Sequence, residues 1–338
     1  MECLCKRGGM NAPVTLNRHG AFALIETNNP PVNAMAHHVR VALIDAVAKA
    51  ARSDAAAIII ACKGRTFFSG ADIAELDYPV RTPGLLELEE ACRLAPQPVI
   101  SVMHGSVLGG GMVVAYCADY RVAAPGTIFG MPEVKLGLLA TFGGTQFLPR
   151  LVGMTAALDL LIGANPIDLA TAQAMGFVDA IGDLDSTMAM SSPLQKRPVR
   201  FMQPEPTQLA LTQIDRFATG LDTDWEAPHA TLHAARTGVV EGLEAGLARE
   251  AELFEQLRAS RQSHILRRHF FADRALTKIS VAKEVELQLR ATGGERQQLR
   301  ALGQALIDQG ILPSAELVDA AIVRTLGWPA WKADVMMD

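Results

Sequence analysis

No uninterrupted apolar run in the 338 residues reaches the roughly 18 that a helix needs to cross a bilayer, so membrane insertion is not expected. Basic residues are in deficit: 31 Lys and Arg stand against 36 Asp and Glu, a formal net charge of −5. That balance argues against a nucleic-acid partner, which calls for a basic face. The five cysteines (Cys3, Cys5, Cys62, Cys92 and Cys117) form no CxxC pair and no zinc spacing, so no metal site is expected. Cys62 and Cys117 sit in apolar runs and are expected as buried free thiols, which fits a reducing, cytoplasmic setting. GxGxxG is absent, so the dinucleotide fingerprint is missing and NAD is not expected as a cofactor. The opening "MECLCKRGGMNAPV" is too polar for a secretory signal, and Met10 is a candidate natural start.

What is present is ample for a large core: 49% of the residues are hydrophobic. "AFALIET" (21–27), "AAAIIIAC" (55–62) and "PVISVMHG" (98–105) read as strands, and 34–52 carries apolar residues at helical spacing. Strands alternating with helical patterns up to about residue 180 predict an α/β fold. The stretch "SSPLQKRPVRFMQPEP" (191–206) reads as a loop. From about residue 207 the pattern is helical throughout, including 241–260, with a break at "ATGGER" (291–296).

Three stretches carry chemistry. In "HGSVLGGGMVVAYCADYRVA" (104–123) a strand ends near His104 and a helix begins at about Gly110. The first N–H groups of a helix lack intrahelical acceptors and have the positive end of the dipole behind them. Glycines there let an anion, or an oxygen becoming one, approach the backbone; the plain alternative is a tight packing turn. "GRTFFSGADIAEL" (64–76) is a second such turn, with Gly70 before Ala71. "IFGMPEVKLGLLATFGGTQFLPRLVG" (128–153) places Glu133 alone in an apolar run, where burial would raise its pKa and make it a usable base.

These stretches, with "NNPPVNAM" (28–35) and "AQAMGFVDAI" (172–181), resemble the crotonase (enoyl-CoA hydratase/isomerase) superfamily over about residues 12–185. The resemblance implies a spiral of ββα units followed by an all-helical C-terminal region. It implies Glu133 as the catalytic carboxylate. The N–H groups of Ala71 and Gly110 would form the oxyanion hole for a coenzyme A thioester, with substrate contacts from Val32, Asp72, Gly109, Phe142 and Phe270. Residues 200–290 look like the helical region that covers the acyl-CoA site in multifunctional β-oxidation enzymes. Residues 295–338 resemble a remnant of the end of a 3-hydroxyacyl-CoA dehydrogenase whose NAD-binding part is missing here. Superfamily members are commonly trimers, whereas the multifunctional relatives cover the site with their own helices, so trimer and monomer both stay open.

One departure bears on the reaction. Hydratases of this family carry a second glutamate after the glycines, and this chain has Val113 there. Hydration needs a carboxylate pair; moving a double bond from C3 to C2 needs one base and an oxyanion hole. The expectation is therefore Δ3,Δ2-enoyl-CoA isomerisation. Hydration, another acyl-CoA reaction such as decarboxylation or thioester hydrolysis, and a catalytically dead binding module are the alternatives. Asp72 is expected chiefly as a helix cap, and Asp119 and His104 as structural. His37, His38, Arg40 and Lys135 are candidate contacts to the CoA phosphates or ribose. Phe270 and Phe271 are expected over the acyl pocket or in the core.

Overall fold

The computed structural model describes residues 12–190, 194–279, 281, 283–332 and 334–336. Cys3, Cys5 and the candidate start Met10 lie outside them. The chain opens with a hairpin of β1 (Val14–His19) and β2 (Phe22–Thr27), turned at Gly20 with φ +56° and paired from Val14 opposite Thr27. Then come α1 (His37–Ala50), β3 (Ala57–Cys62), α2 (Leu85–Leu94), β4 (Val99–Met103), β5 (Ser106–Leu108) and α3 (Gly110–Cys117). They are followed by β6 (Tyr120–Ala123), β7 (Ile128–Gly130), α4 (Gly144–Val152), α5 (Met154–Leu158), β8 (Ile167–Asp168), α6 (Leu169–Ala174), β9 (Ala180–Ile181) and α7 (Leu184–Met188).

A large sheet runs in the order β1-β2-β3-β4-β6-β9, parallel from β2 onward, and a small one in the order β5-β7-β8. β4 joins the large sheet, β5 the small one, and α3 follows; β6 and β7 repeat the division, and α4 follows. Each of these two turns of chain thus adds one strand to each sheet and one helix, the expected spiral of ββα units. Every residue of β3 and β4 is buried, which is why both read as continuous apolar runs.

Helices follow to the end: α8 (Thr207–Ala218), α9 (Glu226–Glu241), α10 (Leu243–Ala259), α11 (Arg261–Leu276), α12 (Lys283–Ala291), α13 (Arg296–Asp308) and α14 (Ala315–Leu326). The stretch expected as one helix over 241–260 starts instead at Leu243, because Gly242 sits at φ +97° and separates α9 from α10. Phe254 and Leu257 of α10 and Ala227 and Ala230 of α9 form one apolar cluster with Val134, Leu138 and Leu139. The helical region is therefore packed onto the segment that carries Glu133. A separate cluster runs from Ala272 to Val335 across the "ATGGER" break, so that break is a turn inside one helical unit. Among the described residues no helix is long and apolar enough to cross a membrane.

Candidate active site

The three consecutive glycines have three different neighbours. Gly109 adopts φ +49°, and a Cβ there would lie 2.7 Å from Oε1 of Glu133. A Cβ on Gly110 would stand 3.5 Å from the backbone nitrogen of Ala71 and 3.6 Å from Cδ1 of Leu85. One on Gly111 would drive to 2.0 Å from the carbonyl oxygen of Phe68. The packing explanation accounts for Gly111; Gly109 and Gly110 leave room for a carboxylate and a facing N–H.

That N–H belongs to the second turn. Ala71 forms a lone parallel bridge with Met35, made through Met35 N–H donating to the carbonyl of Gly70 at 2.8 Å. This arrangement does not use Ala71 N–H. Gly110 opens α3, so its N–H has no helical acceptor. Among the described residues neither donor has a protein acceptor. The two turns thus lie side by side, each with a backbone N–H that has no protein acceptor among the described residues.

Glu133 begins a short 3-10 helix, Glu133–Leu136, behind Pro132. The turn closes at Gly137 with φ +67°, where a Cβ would strike the Cα of Ser263 at 2.7 Å. Ser263 Oγ donates to the carbonyl of Leu136 at 2.8 Å, so α11 rests directly on the turn that carries the carboxylate. The residue as a whole is half-buried, but its Oε2 is buried with no hydrogen-bond partner. Burial pushes the Glu133 carboxyl up to about 7; its own backbone amide pulls the other way, and the charge of Glu250 adds to the rise. A structural carboxylate would be held by amides or an arginine, and Oε2 has neither.

The remaining expected positions are dispersed. Val113 is buried in α3, its N–H donating to Gly109 at 3.2 Å, and no carboxylate takes its place there. Val32 is half-buried in a loop tied to the second turn by Asn33 Nδ2, which donates to the carbonyls of Lys63 and Thr66. Asp72 caps the 3-10 helix Ile73–Asp77, accepting from Ala74 N–H at 3.1 Å. Phe142, at φ +61°, packs its ring against Gly84, leaving a Cβ there only 2.5 Å from Cε1. Phe270 pairs edge-to-face with Phe271 and lies under Arg274, while Phe271 is 53% exposed and joins no core. It is Ser263 and Leu266 of α11 that meet the turn carrying Glu133, at Gly137.

Arg40 is a correction. It is buried and spent on Glu75, Met35 and Pro83, so it is not free for a phosphate. Glu75 also accepts from His37 N–H, while His38 and Lys135 are exposed. Asp119 is structural, holding Val99, Lys196 and Arg197. His104 packs at its strand end, its ring on the Gly64 carbonyl. Cys62, Cys92 and Cys117 are buried free thiols, and burial pushes the Cys92 thiol up to about 12. No cluster of three or more His, Cys, Asp or Glu suited to a metal occurs among the described residues.

Two residues near the site were not anticipated. Glu250 of α10 is buried, and both its oxygens accept from the turn at 143–145. Tyr116 of α3 is fully buried and donates to the carbonyl of Phe142 at 2.9 Å. A signal for Glu250 was available: it lies on the buried stripe of α10 with Leu247, Phe254 and Leu257, an acid where an apolar residue belongs. A cavity between α4, α5, α8 and α9, bordered by Arg150, Glu205 and Gln146, is a different place and includes neither Glu133 nor the glycine turns.

Comparison with known proteins agrees with this geometry. The family described as enoyl-CoA hydratase/isomerase matches residues 17–193. The peroxisomal bifunctional enzyme of Danio rerio is 32% identical over 320 residues, covering 90% of this chain and 44% of its own. The peroxisomal fatty acid β-oxidation multifunctional protein AIM1 of Arabidopsis thaliana is 29% identical over 326 residues, with 89% and 44% covered. The chain thus spans less than half the length of these relatives. An enoyl-CoA hydratase/isomerase structure from Pseudoalteromonas atlantica superposes with a TM-score of 0.56 at 20% identity, over 77% of this chain and 96% of that one, a likeness of fold. With the ββα spiral in place and the family match spanning more than half of the chain, the chain belongs to the enoyl-CoA hydratase/isomerase family of the crotonase superfamily.

Proposed function

We propose that the chain is a Δ3,Δ2-enoyl-CoA isomerase in which Glu133 is the sole acid–base group. The observation that carries this reading is the Glu133 carboxylate: it has a buried, unpartnered Oε2, is pushed up to about 7, and lies against Gly109, while Val113 supplies no second carboxylate. The thioester carbonyl accepts from Ala71 N–H and Gly110 N–H. Glu133 takes a proton from C2, the electron pair moves toward the carbonyl oxygen, and a dienolate forms. The two N–H groups hold its negative oxygen. Protonated Glu133 then returns the proton at C4, leaving the double bond between C2 and C3. No water is added, and nothing beyond the CoA thioester is needed.

The test compares turnover of a 3-enoyl-CoA with hydration of a 2-enoyl-CoA. Isomerisation should be the faster reaction, and Glu133→Gln should abolish it. Hydration equal to or faster than isomerisation would overturn the assignment and point to another acid. A wild-type protein that binds acyl-CoA but turns over neither substrate would mark a binding module.

A further inference from the structure

We propose that Glu250, delivered by α10 of the helical region, is a positioning residue of the Glu133 site: it clamps the Phe142–Thr145 turn and sets a second, buried carboxylate on the helix that packs against the segment carrying the base. The proposal rests on the assignment of Glu133 as that base.

The clamp is built from three hydrogen bonds. Gly143 N–H donates to Oε1 of Glu250 at 2.6 Å, and Thr145 N–H and Oγ1 donate to Oε2 at 2.8 and 2.6 Å. The clamped turn needs holding, since Phe142 and Gly143 both have positive φ, +61° and +91°. Tyr116, one helix turn past Gly111 in α3, fixes the same turn from the other side through the Phe142 carbonyl. The Phe142 ring packs on Gly84, and the next residue, Leu85, places its Cδ1 against Gly110. A continuous line of contacts therefore runs from Glu250 through Phe142 to the oxyanion donor.

Charge gives the second link. All three donors to Glu250 are neutral, so its charge is solvated locally but not cancelled. Burial pushes Glu250 up to about 7, and its charge pushes Glu133 further up. The other titratable groups packed around the pair are Tyr116, which feels both carboxylates, and Glu89 with Arg200. Arg200 stacks on Phe147 of α4 and is engaged by Glu89 and Glu244, so it does not neutralise the pair. Two buried carboxylates coupled by charge resist double ionisation. The helical region thereby tunes the base as well as covering it.

Glu250→Gln keeps the shape and removes the charge. The acid midpoint of the rate profile for 3-enoyl-CoA isomerisation should fall to lower pH, since Glu133 then ionises without the Glu250 charge beside it. A merely structural Glu250 would lower the Tm and leave the midpoint where it was. Thr145→Val serves if Glu250→Gln folds poorly: losing one donor to the carboxylate favours its neutral form and should shift the midpoint the same way by less. The Glu133 carboxyl is also titrated directly by carbon-13 resonance in wild type, Glu250→Gln and Glu133→Gln, the last giving the assignment. That midpoint requires no turnover. An unmoved Glu133 midpoint in Glu250→Gln overturns the proposal and leaves the base intact. Undiminished isomerisation by Glu133→Gln overturns the base assignment instead.

Discussion

Glu133 combines two properties that conflict. As a base it must ionise, yet its setting disfavours the charge and pushes the carboxyl up to about 7. Glu133→Gln removes that conflict. General-base catalysis contributes about 10²–10⁴-fold, so under the proposed mechanism kcat should fall by at least that range. The same variant should raise the Tm above pH 7, because an uncompensated buried charge disappears; the gain is on the order of 1–3 kcal/mol. Opposite signs for activity and stability are what a base predicts, whereas replacing a structural carboxylate lowers stability and leaves kcat unchanged. Calorimetry at about pH 8 beside the kinetic assay separates the two, and a lower Tm with unchanged kcat would remove Glu133 from the mechanism.

At the scale of elements, α3 and the turn before it divide the labour among single glycines. Gly110→Pro removes one of the two proposed oxyanion donors at a helix position where proline is tolerated. Turnover should fall by about 10²–10³-fold with helix content unchanged, measured by kinetics and circular dichroism. Gly111→Ala should act the other way. Its Cβ meets the Phe68 carbonyl at 2.0 Å, so the cost is stability, about 1–3 kcal/mol or more, with no change in chemistry for whatever folds. If Gly111→Ala matched wild type in Tm, the close packing of α3 on the Phe68 loop would be wrong.

These elements were legible in the sequence because their signals are local. β2, β3 and β4 are apolar runs, and the glycine turns and Glu133 stand out within a few residues of chain. What escaped was non-local. Glu250 meets a turn 107 residues away in the chain, so only its place on the apolar stripe of α10 hinted at it. Arg40 read as a free surface cation because nothing near it in sequence is acidic, while Glu75 comes to it across 35 residues. The small sheet was invisible for another reason: β5, β7 and β8 are two or three residues long, too short to show a period of two.

For the whole molecule, three buried acids push stability in one direction. Glu133 and Glu250 are raised from 4.5 to about 7, and Asp319, in the C-terminal cluster, from 3.8 to about 7, each chiefly by burial. A raised carboxyl means that the folded state holds protons the unfolded chain has already released. Between about pH 4 and 7 these three carboxyls therefore bind more protons in the folded state and lower stability as pH rises. His269, whose imidazole burial holds below its usual 6.5, acts against them in the same window. Four exposed or lightly buried acids, Asp168, Asp183, Asp222 and Glu316, are lowered by local hydrogen bonds and act the opposite way, but only below about pH 4. The stability maximum should accordingly lie near pH 5, well below the pH at which Glu133 is ionised and the enzyme turns over. Urea unfolding from about pH 4.5 to 8 should show a declining midpoint. The triple variant Glu133→Gln, Glu250→Gln, Asp319→Asn should flatten that decline. A wild-type midpoint constant or rising between about pH 5 and 7 would mean these carboxyls are not held in the dry interior described. If Glu133 is the proposed base, activity and stability cross over one window of pH, because the burial that raises its pKa toward neutrality also makes its ionisation costly to the fold.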